Sequence, residues 1–332
     1  MTARPRVVVV GAGAAGLSAA RQLGDRYEVV VFDKARGVGG RMATRRLGDA
    51  TFDHGAQFLT AHDPGYARAV EEWSAAGAVV PWFHGQVGPS GVRDRDGHVR
   101  FRGAVSMNAV AKHLAVGLDV RRSTRVRAVS GVGERWQVHL DDDAEVTADA
   151  VVLTAPVPQS LEVLAAGATD LTESDARALG AIVYDPCLAV MATMDGPSGL
   201  PEPGAVAPDG GAIDWLADNH LKGISDGHGV TVHASAGFSS AHWRDADVEV
   251  VEQVMAAARV ATGLALPLGE AWSVQRWRYA RPTVLHPRPC LVVEGPRPLV
   301  LAGDAFGDAK VEGAVRSGAA AASAVRELLA VR

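Results

Sequence analysis

The sequence has little cysteine, little lysine and no long apolar run. Its 332 residues include two cysteines, Cys187 and Cys290, outside any Cys-x-x-Cys pattern. This usage excludes a disulfide framework and fits a reducing compartment. No apolar stretch approaches the roughly 20 residues that span a bilayer. The first apolar strand begins at about residue 6, which leaves no room for a cleaved presequence. We therefore expect a cytoplasmic protein without a membrane partner.

The chain also lacks a large excess of charge of either sign. The formal net charge is −5, and 29 of the 33 basic residues are arginines scattered along the chain. Such a balance does not indicate a polyanion partner, so nucleic acid binding is not expected. The hydrophobic fraction of 48% is enough for a proper core. A chain of this length predicts one large bilobed unit or two domains.

The most informative segment lies at the start. The apolar run Arg6–Val10 leads directly into Gly11-x-Gly13-x-x-Gly16, and Asp33 ends a second apolar run 17 residues after Gly16. In such a motif the first glycine permits a tight turn after the strand. The second leaves room for a pyrophosphate against the backbone, and the third lets the next helix pack closely on the sheet.

The helix that follows this turn completes a dinucleotide site. Its first N–H groups, those of Ala14 and Ala15 among them, are expected to face negative charge. Asp33 can accept hydrogen bonds from a ribose. Because the motif has its strand, its helix and its acidic residue, we interpret it as a dinucleotide-binding turn rather than a glycine-rich turn without a ligand.

The run after Asp33 favours a flavin dinucleotide over NAD. It reads Lys34-Ala-Arg36-Gly-Val-Gly-Gly40-Arg41-Met42 and is rich in glycine and arginine. The glycines let the backbone wrap a second stretch of ligand, and the arginines could neutralise phosphates with forked donors. A simple NAD dehydrogenase does not need this second loop.

Two further segments support the same interpretation. Asp53-His54-Gly55-Ala56-Gln57-Phe58 is compact and centred on glycine. Near the other end, Leu299–Ala302 has the pattern of a buried strand and runs into Gly303-Asp304. A helix is expected from about Val311, with its positive N-terminal end pointing inward. Asp304 could bind the cofactor, cap that helix, or do both.

With these segments the chain resembles the renalase family of FAD-dependent oxidoreductases, within the amine-oxidase-like flavoproteins. The resemblance covers both ends and the overall length. The matching segments are residues 11–17, 32–46, 53–58, 277–282 and 303–305. The first and last of these are general to FAD enzymes, whereas the 32–58 block and Trp-Arg-Tyr-Ala-Arg-Pro are more specific.

The resemblance implies an α/β fold. We expect a Rossmann-like FAD-binding domain of the p-hydroxybenzoate hydroxylase and amine-oxidase type, with an inserted α+β substrate domain. The FAD-binding domain is predicted over residues 1–75, 100–158 and 286–332. The substrate domain is predicted over residues 76–99 and 159–285.

FAD is expected to be bound noncovalently, because nothing marks Cys290 as a tether, and no metal site is expected. The cofactor-binding residues are taken from the glycine turn, the second loop, the 53–57 segment, and positions that the resemblance places at the adenine, the pyrophosphate or the flavin ring. They are Gly11, Gly13, Ala14, Ala15, Gly16, Asp33, Lys34, Arg36, Gly40, Arg41, Met42, His54, Gly55, Ala56, Gln57, Val126, Ala155, Gly303, Asp304 and Val311.

The resemblance also implies a chemistry. Members of the family oxidise a dihydronicotinamide whose reducing hydrogen is at the wrong ring carbon, and so regenerate NAD(P)⁺. The ring nitrogen lone pair drives the hydride to flavin N5, and no strong general base is required. Dioxygen is the expected acceptor, giving H₂O₂. No Ser/His/Asp or metal-ligand spacing in the sequence competes with this interpretation.

The residues expected on the substrate side are aromatic or neutral and polar. Asn219 could bind a carboxamide, and alternation along a strand would point Trp277 and Tyr279 the same way. The chain departs from the family pattern at residues 58–63 and 220–224, which leaves the substrate identity open. The full set is Gln57, Trp215, Asn219, His242, Trp277 and Tyr279.

Three other functions remain open at this level. The same scaffold could oxidise an amine or another CH–NH bond. It could hold FAD for structure or for isomerisation without net oxidation. It could also be an NAD(P)-binding module without flavin.

Overall fold

Parallel pairing organises the part of the chain that carries the glycine turn. The structure is a computed structural model that describes residues 4–331, except for the side chains of residues 93–95. Two compact units are present. The first comprises the chain up to Gly40, Ala111–Val183 and the chain from Pro282 on; the second comprises Arg41–Val110 and Tyr184–Arg281.

Eight α-helices lie in the described chain. They are α1 (Ala14–Leu23), α2 (Pro64–Ala75), α3 (Asn108–Ala115), α4 (Val157–Ala166), α5 (Glu173–Gly180), α6 (Ala236–Ala241), α7 (Asp247–Thr262) and α8 (Lys310–Ala330).

Eighteen strands lie in the same described residues. They are β1 (Arg6–Val10), β2 (Glu28–Phe32), β3 (Thr44–Leu47), β4 (Ala50–Asp53), β5 (Val79–Gly88), β6 (Gly91–Gly103), β7 (Asp119–Arg121), β8 (Val126–Val132), β9 (Arg135–Leu140), β10 (Glu145–Ala148), β11 (Ala150–Leu153), β12 (Val183–Met194), β13 (Ala205–Val206), β14 (Ile213–Asp218), β15 (Gly229–Ala234), β16 (Leu268–Val284), β17 (Leu291–Val292) and β18 (Leu299–Leu301).

The first unit is built on a six-stranded sheet in the order β17-β18-β11-β1-β2-β7. Its strands pair in parallel except β17, which runs antiparallel to β18. β1 lies inside the sheet, and Val7, Val8 and Val9 are fully buried. A strand covered on both faces needs a continuous apolar sequence, which is what β1 and β11 have.

Helix α1 joins β1 to β2, and α8 packs against α1. The Ser18 hydroxyl donates to the Val315 carbonyl oxygen at 2.8 Å. A β-carbon on Gly318 would lie 2.1 Å from the Ala15 carbonyl oxygen, so only glycine allows this approach. The C-terminal helix therefore holds the helix that starts at the glycine turn.

A three-stranded antiparallel sheet in the order β10-β9-β8 completes the first unit. The strand patterns at 124–129, 134–140 and 144–148, together with the family resemblance, predict a small β-meander here. Trp136 is buried within it. The Trp136 indole donates to the Pro298 carbonyl oxygen at 2.8 Å. This bond ties the meander to the chain that leads into β18.

The second unit is built on a five-stranded sheet in the order β13-β14-β15-β12-β16. One face of that sheet packs on α7 through an apolar core that includes Val232, Val254 and Met255. Phe52 of the β3-β4 hairpin packs with Met191 of β12 in a separate cluster. Alternation along the strands thus leaves residues such as Trp215 and His233 away from the α7 core.

Apolar and polar residues alternate over 79–103, and this pattern, with Gly85, Gly88, Gly91 and Gly97 as turns, predicts several β-hairpins. The structure has one hairpin, β5-β6. Gly85 and Gly97 have φ of 93° and 78° and lie inside the strands, and the register shifts between His84 and Gln86. A bulge and a turn can both place glycine in left-handed backbone, so the sequence does not distinguish them.

No helix in the described part of the chain combines the length and apolar character needed to cross a membrane. The fold prediction of a Rossmann-like sheet with additional α+β structure agrees with the two sheets. The predicted functional division into FAD-binding and substrate domains stays a prediction, since compactness does not show what each unit binds.

Candidate functional site

The glycine turn has the geometry that its spacing predicts. Gly11 has φ of 108°, and its N–H donates to the Phe32 carbonyl oxygen at 2.8 Å. A β-carbon on Gly16 would lie 1.9 Å from the Gly11 carbonyl oxygen, whereas one on Gly13 would meet nothing within 4 Å. Gly16 is thus needed for packing inside the protein, while Gly13 leaves open space above the turn.

The open space lies at the start of α1. Gly13 is the N-cap residue, and no side chain caps the helix. The first N–H groups of an α-helix, here including those of Ala14 and Ala15, have no acceptor within the helix. Together with the helix dipole they favour an anionic group at this position. An uncapped helix start beside a glycine without obstruction fits a pyrophosphate.

Asp33 is held directly beside this turn. One carboxylate oxygen accepts the Ala12 N–H at 2.6 Å and the other accepts the Ala35 N–H at 2.7 Å. Each oxygen can accept more than one hydrogen bond. The carboxylate can therefore hold the loop and still accept from a ribose hydroxyl.

The second loop is attached to the first. The Gly39 N–H donates to the Ala12 carbonyl oxygen at 2.9 Å. Gly40 has φ of 53°, and a β-carbon there would lie 3.6 Å from the Gly13 α-carbon. Arg36 is exposed, as the predicted role in binding phosphate requires. Lys34 donates to the Gln159 side-chain oxygen at 3.0 Å.

The remaining cofactor candidates of the first unit lie near the ends of strands or in the first turn of a helix. Val126 is buried at the start of β8, next to a register shift. Ala155 follows β11, and its carbonyl oxygen accepts from Ser160 at 3.2 Å. Gly303, at φ of 148°, donates its N–H to Ser317 at 2.8 Å. Asp304 comes next in the chain, and Val311 is buried in the first turn of α8.

In the second unit, Asp53 is the centre of a buried hydrogen-bond network. Its side chain is fully buried and accepts from the Thr44 hydroxyl at 2.8 Å and the Met107 N–H at 2.9 Å. The Lys222 ammonium donates to it at 2.9 Å, and the Lys222 side chain is also fully buried. Burial lowers the pKa of Lys222, and the Asp53 carboxylate opposes that shift.

The two carboxamides predicted on the substrate side belong to this network. Gln57 donates to the carbonyl oxygens of Asp53 and Gly55 at 2.6 and 3.2 Å and accepts from Lys222 at 3.2 Å. Asn219 is fully buried and donates to Gly229 and Thr231. Since both N–H bonds of each amide are in use, we assign Gln57 and Asn219 to supporting the 53–57 segment. The prediction that Asn219 binds a substrate carboxamide stays a prediction.

His54 presents a neutral ring. Burial, and secondarily the charge of Arg45, lower the pKa of His54 to about 4. Its imidazole stacks on Trp277 with centroids 5.4 Å apart and planes at 14°, and the Trp277 indole donates to the His54 carbonyl oxygen at 2.9 Å. The His54 Nδ1 atom is buried and has no partner among the described residues. At neutral pH this ring can donate or accept one further hydrogen bond but carries no charge.

Strand β16 separates its aromatic and basic side chains. Trp277 contacts His54, and Tyr279 meets Tyr184 edge-on with centroids 5.5 Å apart. Arg276 donates to the Trp243 carbonyl oxygen, and the Arg278 guanidinium lies over the Trp243 ring. The two aromatic residues therefore share one face, as alternation predicts.

The loop from Arg41 docks on the same strand. The Arg41 guanidinium donates to the carbonyl oxygens of Tyr279 and Ala280. Its carbonyl oxygen accepts the Ala56 N–H at 2.8 Å, and a β-carbon on Gly55 would lie 2.0 Å from that oxygen. Met42 follows and is buried. Arg41 thus positions backbone in the second unit, a role beyond the predicted contact with phosphate.

Trp215 belongs to an aromatic cluster with Phe58, Trp82 and Phe83. Its ring lies 5.6 Å from Phe58 and 6.3 Å from Trp82, and its indole nitrogen is buried without a partner among the described residues. Neither Trp82 nor Phe83 was predicted as a site residue. The alternating apolar pattern of the hairpin was the available signal, but strand alternation does not say which cluster a residue joins.

The side chain of His242 contacts residues close to it in the sequence. Its Nδ1 is 2.7 Å from an Asp245 oxygen, and its ring stacks on Phe238 at 4.1 Å. The described contacts of His242 are thus with its own segment rather than with the 53–57 turn. Its predicted place on the substrate side stays a prediction.

The fold and the glycine turn define a dinucleotide-binding α/β protein, and two family models extend that class. Residues 9–73 match an NAD(P)-binding Rossmann-like domain. Residues 90–326 match the flavin containing amine oxidoreductase family. The chain belongs to that family. It is an FAD-dependent oxidoreductase, and the predicted cofactor and fold are confirmed.

A relative and two solved structures refine this placement. Mouse renalase is 25% identical over 94% of this chain and 96% of its own length. A fatty acid isomerase from P. acnes, which produces CLA, has a TM-score of 0.69 at 12% identity, covering 97% of this chain and 99% of that one. Putrescine oxidase bound to putrescine has a TM-score of 0.68 at 16% identity, with the same coverage. The two structures share the fold. The protein is thus renalase-like within the amine-oxidase superfamily.

Proposed function

We propose that the enzyme oxidises 2- or 6-dihydronicotinamide nucleotides to NAD(P)⁺, with dioxygen as electron acceptor and H₂O₂ as product. Similarity to mouse renalase along nearly the whole chain supports this assignment. The observation that carries it is the chemistry of the candidate residues in the second unit. They offer aromatic rings and a neutral imidazole, while the buried carboxylate of Asp53 is neutralised by Lys222.

Such a set suits removal of a hydride. In a 2- or 6-dihydropyridine the ring nitrogen lone pair expels the hydride as the ring becomes aromatic, so two electrons and one hydrogen leave together. Dioxygen takes up these two electrons, the hydrogen and one proton from solvent to give H₂O₂. The protein therefore has to orient a planar ring and exclude water, which is a task for stacking side chains.

The residues of the first unit would hold FAD. The uncapped start of α1 and the space above Gly13 would take the pyrophosphate, and Asp33 the ribose. When bound, FAD supplies the hydride acceptor. Gly303 and the start of α8 would lie toward the flavin by the family resemblance, where the helix dipole favours negative charge.

Amine oxidation is the second candidate, because an aromatic cluster can bind an ammonium group. Here two rings of the cluster already carry cations of the protein. The Lys222 ammonium lies 4.9 Å from the Trp82 ring centroid, and the Arg100 guanidinium lies 6.0 Å from that of Phe58. Each of these cations is paired with a carboxylate, Lys222 with Asp53 and Arg100 with Asp96, so what disfavours a bound ammonium is occupancy of the rings rather than net repulsion. Because the protein's own cations already lie against these two rings, the geometry favours a neutral ring over an amine.

Rapid mixing under anaerobic conditions tests the assignment. Borohydride-reduced NAD⁺, which contains the 2-, 4- and 6-dihydro isomers, should bleach the flavin absorbance, whereas pure 4-dihydro-NAD and putrescine should not. Bleaching by putrescine alone would establish the amine oxidase reading. Absence of bleaching with every donor would overturn both assignments and favour a non-oxidising flavoprotein.

A further inference from the structure

The ion pair of Asp53 and Lys222 stands apart from the other ion pairs in the described residues, because both of its side chains are fully buried. Each charge loses its hydration, and the mutual attraction offsets that penalty only when hydrogen bonds satisfy the remaining atoms. Here they do, through Thr44 and Met107 on the carboxylate and Gln57 on the ammonium. Such a pair adds little net stability over an apolar pair of similar volume. We therefore consider how the pair orients the groups around it.

The ammonium of Lys222 is enclosed by groups of the protein. It donates to Asp53 and Gln57, and the face of the Trp82 ring lies against it. With its side chain fully buried, it acts on ligands only through these neighbours.

Those neighbours shape the turn that carries His54. Gln57 closes the turn by donating to the carbonyl oxygens of Asp53 and Gly55, and Lys222 orients that amide by donating to its oxygen. The Asp53 N–H donates to Asn219 at 3.4 Å, which fixes the other side of the turn. Without the ammonium, the Gln57 oxygen would be a buried acceptor without a donor, and the amide would rotate.

We propose that Lys222 is a positioning residue that, through Asp53 and Gln57, sets the orientation of the His54–Ala56 backbone and of the His54 ring. The consequence for catalysis rests on the proposed function and on the prediction that His54, Gly55 and Ala56 bind FAD. The orientation itself can be tested without any substrate.

The test is a charge-balanced replacement. Lys222→Met alone leaves Asp53 as an uncompensated buried charge and should lower the melting temperature strongly. The double variant Asp53→Asn with Lys222→Met removes both charges and should recover most of that loss. It still lacks the donor to Gln57, so the turn should stay misoriented.

Visible circular dichroism of bound FAD and the FAD dissociation constant separate positioning from stability. In the double variant we expect an altered flavin dichroism and about tenfold weaker FAD binding or more, as misplacement of a binding segment predicts. Lys112→Met, at an exposed lysine of α3, is the matched control and should resemble the wild type. A double variant with wild-type dichroism and a dissociation constant within twofold of wild type would overturn the proposal.

A second variant covers the case in which the double variant does not fold. Gln57→Met keeps the ion pair and removes the amide through which Lys222 reaches the turn, both its oxygen and its two donations to Asp53 and Gly55. It should fold and show the same altered dichroism, and unchanged dichroism would also overturn the proposal. Both readouts use FAD alone, so a failure of dihydronicotinamides to reduce the flavin would count against the proposed function without touching this result.

Discussion

Gly16 and Gly11 approach so closely that a β-carbon on Gly16 would lie 1.9 Å from the Gly11 carbonyl oxygen. Three residues before Gly16, Gly13 has open space around the same hypothetical atom. One motif therefore contains two glycines with different purposes. Gly16 serves the packing of α1 on β1, and Gly13 serves whatever lies above the turn.

Substitution by alanine should separate these purposes. Gly13→Ala should fold normally, because its backbone is extended and its β-carbon is unobstructed, yet bind FAD at least tenfold more weakly. Gly16→Ala should lose several kcal/mol of stability, since backbone cannot move out of a contact of this length. Chemical denaturation and FAD titration measure the two effects. Gly180→Ala, at an unobstructed helix end, is the control. Equal FAD affinity in Gly13→Ala and wild type would contradict the assignment.

Replacement of Asp33 tests the ribose side. Asp33→Ala removes the acceptor of the Ala12 and Ala35 N–H groups and the proposed acceptor of a ribose hydroxyl. The loss of about 1–3 kcal/mol per unsatisfied group predicts FAD binding weaker by roughly tenfold to hundredfold. Equilibrium dialysis with FAD gives the value. Asp25→Ala, an exposed aspartate near the end of α1, should bind FAD like the wild type. If the two variants bind equally, Asp33 is not a ligand residue.

The free energy of unfolding should decrease as the pH is lowered, because protonation of His54 favours the unfolded chain. Its pKa is about 4 in the folded protein and 6.5 in the unfolded chain, so the unfolded state binds the proton first as the pH drops. Above pH 6.5 the group has no effect, and by pH 5 it should remove about 2 kcal/mol. His54→Asn should lose this part of the pH dependence in urea unfolding between pH 7.5 and 5. His84→Gln, at an exposed strand position, supplies the reference, and a wild-type slope in His54→Asn would refute the prediction.

The contact between Trp277 and His54 should matter for rate more than for folding. Trp277→Phe keeps a ring for stacking but removes the donor to the His54 carbonyl oxygen. We expect a stability loss of about 1 kcal/mol and a flavin reduction rate lowered about tenfold. Stopped-flow reduction measures this. Trp243→Phe, beneath Arg278 on the other face of β16, should reduce at the wild-type rate. Equal rates in both variants would exclude Trp277 from the site.

Local patterns predicted the nucleotide-binding part of the molecule well. The turn from β1 to α1 and the place of Asp33 depend on residues within about thirty positions of one another, so spacing alone specifies them. Helix α7 and the meander β8-β9-β10 were predictable for the same reason, since periodicity of 3.6 or 2 appears within each segment.

The support of the candidate site was not predictable in this way. Asp53 and Lys222 are 169 residues apart, and no local pattern pairs them. The contact of Gln57 with Lys222 spans 165 residues and that of Asn219 with Asp53 spans 166, so the network around these amides is equally invisible to local patterns. Trp82 was overlooked because its role depends on which cation lies against its ring.

The packing of α8 on α1 has a consequence for biosynthesis. Ser18 and Gly318 meet across helices from opposite ends of the chain, and Gly303 is bonded to Ser317 in the same helix. A ribosome therefore exposes the Gly11–Gly16 loop long before the helix that clamps it has been translated. The clamp on the glycine loop can form only once α8 has been synthesised.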